Sequence, residues 1–112
     1  MQGQVRLFPE QLRSLAFGFV GSSYTVIGSA LQNPIYILHF VNGTDAAITI
    51  SWDGVDDHAY LPAGAFLLLD ATANHAANVN GLWAGIGQRF WVKEVAAPPT
   101  MGVVTLSAYY AA

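Results

Sequence analysis

Between Thr44 and Asp70 the chain reads TDAAITISWDGVDDHAYLPAGAFLLLD. Ala46, Ile48, Ile50 and Trp52 alternate with Ala47, Thr49, Ser51 and Asp53. A period of two belongs to a strand with one buried face, because successive side chains of extended backbone point to opposite sides. Asp53-Gly54 breaks that strand, and Asp56-Asp57 keeps the turn in water. His58 to Leu61 resumes extended. Pro62-Ala63-Gly64 punctuates again, and Ala65 to Leu69 reads as a buried strand. Nothing in this block is a nucleophile motif, a phosphate loop or a metal cluster.

The rest of the chain repeats the grammar of short strands and turns. Residues 5–8 and 14–20 read as two strands around Pro9-Glu10, with a helical turn over 9–15 as the alternative, since Pro suits a first helical position. Tyr24 to Gly28 is a short strand. Ile35 to Val41 is apolar on both faces, as in a strand covered on two sides. Asn42-Gly43 is a hairpin signal and would join it to Ala46–Trp52. Gln88 to Val95 is a further strand. In the closing segment, Val104, Leu106, Ala108 and Tyr110 alternate with Val103, Thr105, Ser107 and Tyr109. The pattern predicts an all-β fold, a small antiparallel β-sandwich or flattened barrel of seven or eight strands. It fits one domain over residues 1–112, with 1–13 a candidate N-terminal arm. The expected core is Ile48, Ile50, Trp52, Phe66, Leu68, Val104 and Leu106.

Charge sharpens the functional question. Charged side chains make up 10% of the 112 residues, against about 25% in ordinary soluble domains. Four basic and seven acidic side chains cannot cover the surface of so small a domain. A large neutral surface points to contact with other copies or other proteins. The net charge of −3 and the scarcity of Lys and Arg argue against nucleic acid and against an anionic membrane. With no cysteine in the chain, disulfides and thiolate zinc sites are excluded. Met1-Gln-Gly-Gln lacks the basic and apolar regions of a secretory leader, so the expected place of work is the cytoplasm or a particle assembled there.

Candidate chemistry is thin. Asp53, Asp56 and Asp57 could offer a few calcium ligands, but they match no calcium-loop spacing and suit a solvated turn equally. His39, His58 and His75 are too far apart in sequence for a short zinc motif. No serine sits in a nucleophile elbow, and Gly85-Ile86-Gly87 is an isolated fragment of a glycine motif. Asn42-Gly43-Thr44 matches a glycosylation sequon, which the expected hairpin explains better. Residues 71–87 form the longest irregular region, and long loops of this kind carry function. Leu82, Trp83 and Ile86 in it, with Tyr109 and Tyr110 at the end, are the interface candidates. Trp52, Trp83, Trp91, Tyr109 and Tyr110 could instead form an aromatic platform for carbohydrate.

One resemblance spans roughly residues 14–110. Its residues are Ser23-Tyr24, Gly28, Leu31, Asn33-Pro34, Asn42, Thr44-Asp45, Ser51 to His58, Leu61 to Gly64, Asp70, the strand at Gln88–Lys93 and the closing Gly102–Tyr109. In these the chain resembles a family of short virion proteins of tailed bacteriophages. The resemblance implies a non-enzymatic β-sandwich without cofactor, present in many copies on a virion. Its implied partners are itself, as a trimer or ring, and other virion proteins, namely the major capsid, portal or adaptor, or tail proteins. Capsid decoration and head–tail or tail accessory roles both fit. A carbohydrate-binding module is the alternative, and a small enzyme ranks third.

Overall fold

A computed structural model describes residues 7–71 and 84–111. Among them lie nine strands: β1 (Leu7–Pro9), β2 (Arg13–Ala16), β3 (Thr25–Val26), β4 (Ile37–Asn42), β5 (Ile48–Ser51), β6 (Ala59–Leu61), β7 (Phe66–Asp70), β8 (Trp91–Glu94) and β9 (Val103–Ala111). A single 3-10 turn, Phe17–Phe19, follows β2. The protein is an all-β sandwich. A five-stranded sheet runs β1-β9-β4-β7, with β2 also on β9, and a four-stranded sheet runs β3-β8-β5-β6. Every strand pair is antiparallel. Residues 7–13, within the candidate arm, contribute β1 and the start of β2 to the edge of β9.

The core lies between the sheets. Leu38 and Phe40 of β4 and Val104, Leu106 and Ala108 of β9 face Ile48 and Ile50 of β5 and Val92 of β8, all essentially inaccessible to water. Phe90 meets Phe40 edge-to-face at 5.3 Å, and Trp52 meets Phe90 at 5.0 Å. These are favourable arrangements for aromatic quadrupoles. Four expected core residues, Ile48, Ile50, Val104 and Leu106, are fully buried, and Trp52 packs half-buried against the cluster.

Phe66 and Leu68 are a correction: they are 63% and 52% exposed. β4 sets the phase of β7. Leu38 pairs with Leu69 and Phe40 with Leu67, so the inward face of β4 takes Leu67 and Leu69 with it. Phe66 and Leu68 therefore lie on the outer face, beside Val41 and His39. A run of five apolar residues has no alternation of its own, so it carries no phase information.

The hairpin at Asn42-Gly43 is a second correction. β4 pairs with β7 and β9, β5 with β6 and β8, so the link between β4 and β5 crosses from one sheet to the other. The tight type I′ turn needs positive φ at both central residues, and Gly43 is not among the glycines with positive φ. Asn42 is instead a fully buried corner post. Its side-chain amide donates toward the carbonyls of Ala46, Leu61 and Pro62 at 2.9, 3.0 and 3.1 Å. Its Oδ1 accepts from the Thr44 N–H and hydroxyl at 3.1 and 2.6 Å. One side chain thus ties together two of the chain segments that change sheet, β4 to β5 and β6 to β7. Buried in this way, Asn42 is closed to glycosylation in the folded protein.

Candidate interaction surface

Two patches of this sandwich carry the side chains that could meet a ligand or partner. The first is the acidic turn after β5. It folds back over the outer face of the four-stranded sheet. Gly54, at φ +79°, lies so close to the Trp91 ring that a β-carbon there would be 3.0 Å from it. Asp57 accepts a short hydrogen bond from the Tyr24 hydroxyl and an ion pair from Lys93 at 3.3 Å. Lys93 also lies 4.8 Å from the centre of the Tyr24 ring. This cover explains why β5 is buried at all four residues, Thr49 and Ser51 included.

Asp53, Asp56 and His58 bring one ligand atom each to within 4.8 Å of one another. Asp53 and His58 each commit an acceptor atom to the turn itself. Asp53 Oδ1 accepts from the Val55 and Asp56 N–H groups at 2.8 and 2.9 Å and from the Ser51 hydroxyl at 2.8 Å. Those bonds hold its carboxyl down to about 2, the Val55 N–H first. His58 Nδ1 accepts from the Trp52 N–H at 2.9 Å. Hydrogen bonds from Tyr24 and then Lys93 likewise lower the Asp57 carboxyl. The turn is an internally bonded cover on the sheet.

The second patch is the outer face of the five-stranded sheet and its edge at β7. Reading across the register, Phe66, Val41, Thr105 and Ser14 form one row, and Leu68, His39 and Ser107 the next. Phe66 and His39 rings meet edge-to-face at 5.5 Å. Val103 and Leu7 add partly exposed apolar side chains. No Lys, Arg or Glu lies in these rows. Asp70, opposite Ile37, is at one end. Among the described residues β7 pairs only with β4, so its other edge closes the sheet.

Of the interface candidates read from sequence, Leu82 and Trp83 lie outside the described residues, as does His75. Ile86 is 70% exposed at a turn. Tyr109 shares the outer face with Ile37 and Pro9. Tyr110 turns inward, stacks on Phe8 at 5.8 Å and packs against the core. His39 and His58 sit on different sheets. Trp52 turns toward Phe40 and Phe90, while Trp91 lies on the other face of the four-stranded sheet under Gly54. The sequence reading missed Phe66 and Leu68 as surface residues. The signal that could have found them is the lone His39 in β4, which fixes that strand's outward phase.

No family model, no curated protein and no solved structure matches this chain. Among the described residues no helix is long and apolar enough to cross a membrane.

Proposed function

We propose that the chain is a non-enzymatic structural protein of a phage virion, working through contacts with copies of itself and with other virion proteins. The observation that carries the assembly half of this reading is the uncharged outer face of the five-stranded sheet, with Phe66 and Leu68 more than half exposed. Large apolar side chains clustered on an exposed face mark interaction sites. The virion half rests on the motif resemblance, whose residues here hold turns and corners: Asn42 and Thr44 at the sheet crossing, Gly54 over Trp91, Asp57 on Tyr24. These are roles of architecture, not of chemistry. Decoration of the shell and a ring at the neck or tail are both consistent with such a module.

Light scattering across a concentration series tests assembly. The expected result is a defined oligomer, because closed symmetry satisfies every interface. A monodisperse monomer at high concentration would remove self-assembly. Labelling the protein in purified particles tests the virion role. Its absence from the particle would reject that role.

A further inference from the structure

We propose that Asn42-Gly43 is a latent site of spontaneous deamidation, held shut by β9 in the folded protein and open whenever that strand is not in place. The inference does not depend on the assembly reading above.

The reaction needs no enzyme. The Gly43 backbone nitrogen gives up its proton and attacks Cγ of the Asn42 side chain. The new N–Cγ bond closes a succinimide ring as the Cγ–Nδ2 bond breaks, and ammonia leaves with the proton. Water then opens either imide carbonyl and leaves aspartate or isoaspartate. One water enters, one ammonia departs, and nothing is oxidised or reduced. Asparagine is thermolabile in general. It is most reactive before glycine, which has no β-carbon to shield its nitrogen or restrict the backbone.

Two unrelated demands of the fold put this pair at the corner. Position 42 needs an amide, because Nδ2 donates to the carbonyls of Ala46, Leu61 and Pro62 while Oδ1 accepts from Thr44. Position 43 needs the missing β-carbon, because one built there would lie 2.6 Å from the Val103 carbonyl oxygen. Meeting both demands produces the labile pair.

The same contacts stop the reaction. The attacking nitrogen is committed, since the Gly43 N–H donates to the Val103 carbonyl at 2.9 Å. The leaving amide is pinned by its three carbonyls, so Cγ cannot swing toward that nitrogen without breaking them. The Asn42 N–H donates to the Ala65 carbonyl and its own carbonyl accepts from the Gly64 N–H, both at 2.9 Å. Full burial of Asn42 keeps out the water that the second step consumes. The lock on the nitrogen comes from the first residue of β9, the last of the described strands. It is therefore absent until the sheet is complete.

A chain that reacts before folding is excluded from the native state. Aspartate at 42 would turn an acceptor-only group toward three carbonyl oxygens and bury a charge without a cation. Isoaspartate would add a main-chain atom to β4 and disturb its register with β9.

Asn80-Gly81 is the same dipeptide elsewhere in the chain. It lies outside the described residues and serves as the reference in denaturant. The full chain is incubated at mildly alkaline pH in native buffer and in guanidinium chloride, and peptide mapping follows the amide-to-acid mass gain at each asparagine. In guanidinium, Asn42 and Asn80 should react at similar rates. In native buffer, Asn42 should react at least about a hundredfold slower than in guanidinium, because reaction then waits on opening of the corner. Chains aged in guanidinium are then returned to native buffer, and the fraction that resists limited proteolysis is mapped. That fraction should be depleted of chains altered at position 42. Equal rates at Asn42 in the two buffers would overturn the lock, and an Asn42 inert in guanidinium while Asn80 reacts would overturn the site. Altered chains that refold in full proportion would overturn the exclusion.

Discussion

The two sides of the sandwich are finished differently. On the side of β2 and β3, Arg13 and Glu10 form a pair at 2.8 Å with side chains only 6% and 4% accessible. Arg13 also donates to the carbonyls of Ser29 at 2.7 Å and Ala30 at 3.0 Å. Glu10 takes the Gln32 N–H at 3.1 Å and the Asn33 amide at 2.9 Å. Every buried side-chain polar atom there has a partner, so the pair is stitched into the main chain around it. On the side of β6 and β7 the buried network is that of Asn42 at the sheet crossing, and Phe66, Leu68 and Tyr60 face water. A closed side needs nothing from outside. An open, uncharged side gains from any strand or face that covers it.

The largest expected effect breaks the stitched side. Arg13→Met leaves Glu10 buried without its cation, which costs about 3–5 kcal/mol in comparable buried pairs. Urea unfolding of the variant measures it. Changing both partners, Glu10→Gln with Arg13→Met, should recover part of the loss, because no charge is then stranded. A loss under ~0.5 kcal/mol would show that the network is solvated rather than closed.

Next comes the phase of β7. Leu67→Ala, on the inward face, should cost about 2 kcal/mol, the low end for leucine truncation because the site is only half-buried. Leu68→Ser, one residue along, should stay within about 0.5 kcal/mol of the parent measured as a monomer. Equal costs at both positions would mean that both faces of β7 are covered within one chain.

This alternation marks the boundary of what could be read from sequence. The alternating strands were legible because their residues encode phase: Ile48 and Ile50 against Thr49 and Ser51, and Val104 and Leu106 against Thr105 and Ser107. The run Phe66 to Leu69 encodes only that it is apolar. Its phase is set by pairing with β4, which is non-local. The Asn42-Gly43 pair failed for a related reason. A turn motif specifies a reversal of the chain, but here the burial of Asn42 and its bonds to Leu61 and Pro62 turn that reversal into a change of sheet. Arg13 and Glu10 gave no sequence signal, since their partners are mostly main-chain groups between residues 29 and 32. The shortage of charge indicates only that some of the surface is neutral; which residues form it required the register.

Acid should loosen the stitched side progressively. Burial pushes the Glu10 carboxyl up, but hydrogen bonds from Asn33 and Arg13, the Arg13 charge and the Gln32 N–H outweigh it, and the net effect is to lower it below its ordinary 4.5. The group therefore contributes stability above its ordinary range and loses it as pH falls through the depressed folded value. Asp53, held at about 2, adds the same sign at still lower pH. Urea midpoints measured from pH 6 down to pH 2 should fall steadily, and Glu10→Gln should flatten the upper part of that fall. An unchanged slope in Glu10→Gln would assign the acid response to other carboxylates.

The smallest expected effect separates two neighbours in the cover over the four-stranded sheet. Asp57 accepts from Tyr24 and Lys93, whereas the structure gives the Asp56 side chain no hydrogen bond or ion pair. Asp57→Asn keeps an acceptor oxygen for the tyrosine but removes the charge that faces Lys93. Because the site is exposed, solvent and salt screen most of that charge. The melting temperature should drop slightly for Asp57→Asn, less at high salt, and stay unmoved for Asp56→Asn. Raising the pH should shrink the difference, since burial and then the Asp57 carboxylate push the Tyr24 hydroxyl above its ordinary 10, and the hydrogen bond to Asp57 contributes only while that proton is in place. That hydroxyl stays a donor into alkaline solution only at some cost once ionisation begins, so stability is lost as the pH passes its folded value. The check is the pH dependence of the melting temperature between pH 9 and 12 in Tyr24→Phe. If that variant shows the same alkaline loss as the parent, the tyrosine does not hold the turn down. The four-stranded sheet would then be covered by the packing of Gly54 on Trp91 alone.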